Sequence, residues 1–482
     1  MGAAAVISLA EVRAQKQHAE VRQQLQEQFE HWLDTLEEHV KESKPPLEQL
    51  TRAVGEVRQE LTGQLTTALI AQRYRAEQEQ AHAPCPQCGR LVAARGVVNR
   101  KVETRIGKVE LARPYFYCVL WGQGFAPLDT ALGVAPGRQQ FDVPQAAAKL
   151  AAEVPDKTAQ ELFEALTGVG LSPARLQELT NAVAEGLSVV AVAPPRETIL
   201  AQIAAGAEGR RWRPIGVLAI DGAELPTRPD AAKGHRPGRK QHRAKRAPWQ
   251  GQWREAKGLR FDLVDDDRSV HLLSWHQIQD PEELFAALRQ VKEAGLIPED
   301  PLRLGVVADG APWIWQGVQQ LFPTAAAILD YYHCAEHVHQ VAPVHYDQQP
   351  EQALEWVEGT MARLFAGEVA GVIWGLQRMR PAAAQAAAAI DDLIVYRQNN
   401  QGRINYRAQR KAGYPLGSGG IESAHKFICQ VRLKRSGAWW YVANSNHMLA
   451  LRCAKYNGTF EQVFERYRHK ILDQLQPKSV KK

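Results

Sequence analysis

The sequence predicts a multidomain chain of mixed class, α+β and α/β: helical and small β modules come first, then a mixed-sheet core interrupted by an all-α insertion. Three observations predict it. The chain has 482 residues, enough for about three domains at the usual 100 to 200 residues each. Its apolar spacing runs by threes and fours up to His82, switches to alternation over 84–118, and returns to helical spacing before Pro194-Pro195. Beyond that pair, short apolar runs alternate with amphipathic stretches until about Val341, and no strand pattern occurs from there to Lys411.

Composition narrows the class. Hydrophobic residues make up 45% and charged residues 23%, which excludes a disordered acidic, collagenous or low-complexity chain. Lys and Arg number 59 against 53 Asp and Glu, a formal net charge of +6, so any nucleic-acid partner must be sought in how the charge is distributed. Six cysteines are too few for a disulfide framework, and the pair Cys85-x-x-Cys88 points to metal binding in a reducing compartment. The first residues lack a signal peptide's basic start and apolar stretch, Val6 stands where myristoylation wants Ser or Thr, and no run of about 18 apolar residues occurs. A cytoplasmic protein, not inserted in a membrane, is therefore expected.

Each module has its own warrant. In 1–83, Val21, Leu25, Phe29, Trp32, Leu36 and Val40 form one amphipathic helix, Pro45-Pro46 breaks it, and Leu47, Leu50, Val54, Val57, Leu61 and Leu65 begin another. The pair either packs on its own chain or forms an oligomerisation arm. In 84–135, Pro-Cys85-Pro-Gln-Cys88-Gly-Arg opens a β-hairpin whose strands carry Val102, Thr104 and Ile106, then Val109 and Leu111, about a turn at Gly107-Lys108. In 136–195, a helix, a Gly-containing turn, Ser172 as N-cap and a second helix suit a helix-turn-helix DNA-binding region or an ordinary helical hairpin. Pro194-Pro195 reads as a linker. The core occupies 196–340, the helical insertion 341–412, and the core's completion 413–482.

Within the core, Asp221-Gly222 and Asp309-Gly310 each follow an apolar strand, which brings a carboxylate out at the sheet's carboxyl end with a glycine behind it. Two such carboxylates repel unless a divalent cation neutralises them. After the insertion, Gly417-Ser418-Gly419-Gly420 leads into a helix with Glu422 in its first turn, where capping is the plain alternative. Lys426, Arg432, Lys434 and Arg435, followed by Trp439 and Trp440, combine cations for phosphates with rings for unpaired bases. Three carboxylates on a ribonuclease-H-like sheet suit two magnesium or manganese ions about 3.5 to 4 Å apart, acting on a phosphodiester.

These residues, in the order Asp221-Gly222, Asp309-Gly310, Cys334-Ala-Glu-His337, Gly-Ser-Gly-Gly-Ile-Glu422-Ser, Arg432-Leu-Lys434 and Trp439-Trp440, resemble the bacterial ISKra-type insertion-sequence transposases, relatives of the Mutator-like DDE group. The likeness covers roughly residues 84 to 460. It implies a ribonuclease-H-like core with a helical insertion before the last acid and a DDE triad of Asp221, Asp309 and Glu422. It also implies double-stranded DNA as partner, at transposon ends and target, and at least a dimer to bring two ends together. The Mutator relatives carry a Cys-x-x-His where this chain has Cys334 and His337; His337 is expected near the triad, positioning the scissile phosphate, with a packed structural pair as the alternative. Competing functions are a nuclease on the same core and a catalytically inactive DNA-binding regulator.

Four features sit apart from that pattern. Similar proteins show a second Cys-x-x-Cys after the hairpin, whereas here Cys118-Val-Leu-Trp121 leaves Cys85, Cys88 and Cys118 as three thiolates for a four-coordinate zinc. Either His82 supplies the fourth ligand or the module has lost zinc and relies on Trp121 for packing. The segment between the first core strands gathers Arg228, Lys233, Arg236, Arg239, Lys240, Arg243, Lys245 and Arg246, a grip for DNA backbone beside the site. Trp356 and Trp374 are expected in the insertion's core in preference to stacking on a flipped base, and Asp265-Asp266-Asp267 as a turn.

Overall fold

The computed structural model describes residues 9–40, 44–229, 250–265, 268–346, 349–381 and 383–475. It is a mixed α+β structure with two sheets, and it divides into two compact units: Met1–Val183 with Phe464–Lys482, and Ala184–Val463. No described helix is long and apolar enough to cross a membrane.

In the first unit, helices Leu9–His39 and Leu47–Arg73 pack on one another across the Pro45-Pro46 break. The second also lies on the hairpin, where Thr67 Oγ1 accepts the Glu110 amide at 3.1 Å, so this helix packs on its own chain. Leu47, Leu50, Val54, Leu65 and Leu69 nevertheless stay exposed along it. The small sheet comprises β1 (His82–Pro84), β2 (Leu91–Thr104), β3 (Gly107–Cys118) and β4 (Gln123–Phe125), antiparallel in that order. The hairpin turn is Arg105-Ile106; Gly107 and Lys108, expected in the turn, already belong to β3 and pair with Thr104 and Glu103. Helices Asp142–Ala151, Asp156–Thr167 and Pro173–Ala184 follow, with Gly168 left-handed after the second and Ser172 Oγ capping the third through the Arg175 amide.

Pro194-Pro195 is not a linker. It lies inside the second unit and starts helix Arg196–Ala207, while Thr459 Oγ1 and Asn457 Nδ2 both donate to the carbonyl of the buried Val192. The large sheet has five strands: β5 (Ile215–Thr227), β6 (Gln252–Asp265), β7 (Arg268–Ile278), β8 (Arg303–Ala308) and β9 (Ala326–Leu329), in the order β7-β6-β5-β8-β9. β6 runs antiparallel to β5 and β7, whereas β8 and β9 run parallel to β5. The apolar runs of β5 and β8 are buried on both faces, as central strands of a covered sheet must be. Between β7 and β8, helix Pro281–Glu293 opens on a capping box of Asp280 with Glu283.

The insertion is helical as expected but begins earlier, at helix Tyr331–His345 immediately after β9. Helices Pro350–Ala366, Val369–Arg378 and Ala384–Asn400 close around Cys334, Val338, Leu364, Leu376 and Leu393. Trp356 packs against that core, as expected, while Trp374 does not; it is 59% exposed, with the Arg378 guanidinium 4.3 Å from its ring centroid. The chain returns through helix Gly419–Ala424 and a π-helical turn, His425–Gln430, to helix Val442–Tyr456. The Asp266-Asp267 part of the acidic turn lies outside the described residues.

Candidate active site

Asp221 does not end its strand: β5 continues to Thr227 as a hairpin with β6, and Asp221 pairs with Gly258. The parallel ladder to β8, however, stops at Ile220 and Ala308. Asp221 therefore stands where β5 loses one of its two neighbours, and Asp309 is the first residue past β8. Both carboxylates thus emerge at the same step of the sheet, the reason an open α/β sheet places ligands there. The Asp309 carboxylate accepts the Ala311 amide at 2.9 Å, which caps the turn into helix Pro312–Leu321.

Glu422 reaches Asp221 from the far side of the insertion. Its carboxylate, that of Asp221 and the His425 imidazole offer ligand atoms within 4.8 Å of one another. His425 Nδ1 lies 4.0 Å from Asp221 Oδ2 and 3.9 Å from Glu422 Oε2. Adjacent ligands of an octahedral ion with bonds of about 2.1 to 2.2 Å stand about 3.0 Å apart, so the three side chains would draw together by roughly 1 Å to hold one. Asp309 is outside this group of three but near enough that its charge acts on Asp221.

The electrostatics follow from burial. Burial pushes the Asp221 carboxyl up to about 7; the Gly222 amide and His333 pull it down, and the charges of Glu422 and Asp309 push it up further. Burial lowers the pKa of His425, with Glu422 and Glu255 opposing, so its ring is a neutral nitrogen donor near pH 7. Its Nε2 is buried without a partner, and its ring meets that of the fully buried His276 edge-on at 5.1 Å. His333 is the reverse case. Burial pushes it down, but Asp330, Asp221, Glu336 and Asp309 together outweigh burial and raise it, so it faces the carboxylates as a partial cation.

Two buried polar residues hold the Glu422 helix to the sheet. On β6, Arg260 pairs with Asp262 at 2.8 Å and donates from one guanidinium nitrogen to the Gly420 carbonyl at 2.8 Å and to the Tyr456 hydroxyl at 2.7 Å. A Cβ at position 420 would come within 2.7 Å of the Asp262 carboxylate, so the second glycine of the pair is a packing requirement. Asp330, one residue past β9, accepts the Tyr332 and His333 amides at 2.7 and 2.9 Å and the Ser418 amide on its other oxygen. The π-turn that starts at His425 leaves the Phe427 carbonyl to the Arg452 guanidinium; such turns recur at functional sites.

The Cys-x-x-His pair separates. Cys334 is buried in the insertion's core, where the fully buried Arg397 donates to its Sγ at 2.5 Å and to its carbonyl at 2.6 Å. His337 stacks on Tyr396 with ring centroids 3.9 Å apart, while Asp309 and Glu336 oppose the burial and the Arg397 charge that lower its pKa. Among the described residues the two form no metal-ligating group.

Cys85, Cys88 and Cys118 do come together, with Cys88 Sγ 3.6 Å from Cys118 Sγ. Tetrahedral zinc at about 2.3 Å per bond sets its sulfurs about 3.8 Å apart, so three thiolates fit one ion. His82, on β1, is not part of the group. The Trp121 backbone amide pulls the Cys118 thiol below its ordinary value, and Trp121 itself packs on Phe125 at 6.4 Å.

Of the expected DNA contacts, Lys426, Lys434 and Arg435 are exposed. Arg432 is not: it is 3% exposed, its guanidinium 4.8 Å from the Trp440 ring, because the helix ends at Leu433 and folds Trp440 back over it. Trp439 is half-buried against Trp253, over which Lys434 also lies. Arg236, Arg239, Lys240, Arg243, Lys245 and Arg246 fall outside the described residues.

Sequence reasoning missed His425, Asp330 and Arg260. His425 was visible as the residue one helical turn after Glu422, on the same face. Asp330 follows an apolar strand as Asp221 and Asp309 do, but without the glycine that drew the eye to those two. Nothing local distinguishes Arg260, whose partners are distant in sequence. A scan of protein-family models finds none that matches the chain, and a search of curated proteins returns no significant match.

Proposed function

We propose that the chain is a DDE transposase that binds the terminal inverted repeats of a mobile element and catalyses metal-dependent DNA strand cleavage and strand transfer. The observation that carries this reading is the convergence of Asp221, Glu422 and His425 within 4.8 Å, from β5 and from a helix beyond the whole insertion. The strand order β7-β6-β5-β8-β9, with β6 antiparallel to its neighbours and β8 and β9 parallel to β5, supports a ribonuclease-H-like core.

Asp221, Glu422 and His425 would hold one divalent ion, with Asp309 contributing to a second beside it. Such ions supply an activated water or 3′-hydroxyl and stabilisation of the leaving oxygen. The chain's own work is positional. Arg260 fixes the backbone two residues before Glu422, Asp330 fixes the turn before that, and His333 offsets the crowded carboxylates while they are unneutralised. Two carboxylates favour magnesium or manganese, and one imidazole tips the set toward manganese. Lys426, Lys434, Arg435 and Trp439 are the described candidates for holding DNA.

The test is a cleavage and joining assay on the element's ends, with magnesium and with manganese. Asp221→Ala, Asp309→Ala and Glu422→Ala are each expected to lose about a thousandfold in rate, the effect of several kcal/mol of transition-state stabilisation. Full activity in any one of them removes that residue from the triad, and hydrolysis without joining makes the protein a nuclease instead.

A further inference from the structure

Where the Tyr331–His345 helix meets the irregular stretch before Ser418, a cleft of about 380 Å³ is lined by Tyr331, Tyr332, Phe365, Arg410, Tyr414 and Gly417. Its volume suits a small planar ligand, and its chemistry is one-sided. Four aromatic rings and one guanidinium line it, and no carboxylate does. Tyr331 stands edge-on to Tyr332 and to Phe365, with centroids at 5.7 and 6.4 Å. Tyr332 is 68% exposed, and its ring lies so close over Gly417 that a Cβ there would come within 2.8 Å of it. Arg410 is exposed, 6.0 Å from the Phe365 ring, and makes no ion pair among the described residues.

The cleft is tied to the carboxylate site. The Asp330 carboxylate that accepts the Tyr332 amide also accepts the Ser418 amide, so the cleft's wall and the turn into the Glu422 helix share one side chain. The residue after Tyr332, His333, lies close enough to Asp221 and Asp309 for both to raise its pKa. The cleft wall and the carboxylate site are thus built on the same two backbone segments, the start of the Tyr331–His345 helix and the turn at Ser418.

We propose that this cleft takes an unpaired nucleobase of a DNA strand, the base stacked on Tyr332 and an adjoining phosphate on Arg410. An exposed ring offers a face to any base, and a cation without an acidic partner suits the phosphate that the base carries with it. The inference deepens the transposase reading and rests on its nucleic-acid substrate. Trp356, expected in the insertion's core in preference to stacking, is packed against that core and does not compete for the base.

The test uses the full chain without divalent ion, so that no strand is cut. The probe is a mixed-sequence single-stranded DNA oligonucleotide containing 2-aminopurine, with fluorescence and affinity both read. Wild type is expected to quench the probe. Tyr332→Ala should weaken binding about tenfold and abolish quenching, and Tyr332→Phe should restore both because the ring alone is needed. Arg410→Gln should weaken binding and reduce the salt slope by about one phosphate contact. Unchanged affinity and quenching in Tyr332→Ala, in a protein whose cleavage still depends on Asp221 and Glu422, would overturn the cleft and leave the function standing. Competition by free dAMP at the oligonucleotide's own affinity would put a free nucleotide there in place of a strand. A wild type that neither binds nor cleaves DNA overturns both proposals.

Discussion

At Asp221 two demands conflict: the residue must be ionised to hold a cation, yet its burial and its acidic neighbours favour the protonated form. Its folded pKa of about 7 exceeds the ordinary 3.8, so between those values the folded protein binds more protons than the unfolded chain. Stability of the metal-free protein is therefore expected to fall as pH rises from about 4 to 7, and Asp221→Asn or a divalent ion should flatten that fall. Thermal melts across that range check it; an unchanged slope in Asp221→Asn would remove Asp221 as the cause. Arg260 and Asp262, buried side by side, make a second case. Arg260→Ala leaves a carboxylate buried alone and should cost about 3–5 kcal/mol, whereas replacing both by Met and Leu should restore most of that stability. Cleavage should stay impaired in the double variant, because Gly420 has lost its anchor; recovery of both would reduce Arg260 to packing. At this scale Asp221, Asp309 and Glu422 were legible because each follows an apolar run or a glycine turn. His425 was legible only through its helical spacing from Glu422, and Arg260 was not, since its role depends on a contact across the insertion.

The secondary-structure elements follow local chemistry closely where that chemistry decides the outcome. Pro45-Pro46 separates two helices, Ser172 caps one and Asp280 caps another, each as short-range rules require. They depart where tertiary contacts decide. Pro194-Pro195 has a linker's composition, but hydrogen bonds from Asn457 and Thr459 draw the adjoining Val192 into the core unit. β5 runs past Asp221 because β6 pairs with it to the end of a long hairpin, a partnership that apolar patterning of β5 alone does not encode. The knuckle likewise brings together three thiols, Cys85 and Cys88 ahead of β2 and Cys118 at the end of β3, and among the described residues no fourth ligand joins that group. Metal analysis of purified protein should find no more than one zinc per chain, and Cys88→Ser should abolish it. Two zinc ions per chain would require a second site that the burial of Cys334 against Arg397 argues against.

For the whole molecule, a net charge of +6 understates how cationic the surroundings of the carboxylates are. Lys426, Lys434 and Arg435 are exposed on the segment that follows Glu422, and the Arg236 to Arg246 stretch, outside the described residues, falls in the sequence between β5 and β6, the strand pair that carries Asp221. Neutralising Arg239, Lys240, Arg243 and Lys245 together should weaken DNA binding alike for all sequences and flatten its salt dependence; an unchanged salt slope contradicts a phosphate-gripping role. Under the proposed function, the first unit, with the knuckle and helical pairs, would recognise DNA, and the second, with the sheet and insertion, would cut it. The most direct measurement of that account is the product formed from a DNA carrying the element's end together with a target duplex and a divalent ion. Wild type should yield covalent joints between the element's 3′ end and the target, and Glu422→Gln should yield none. Joints formed at wild-type level by Glu422→Gln would contradict it.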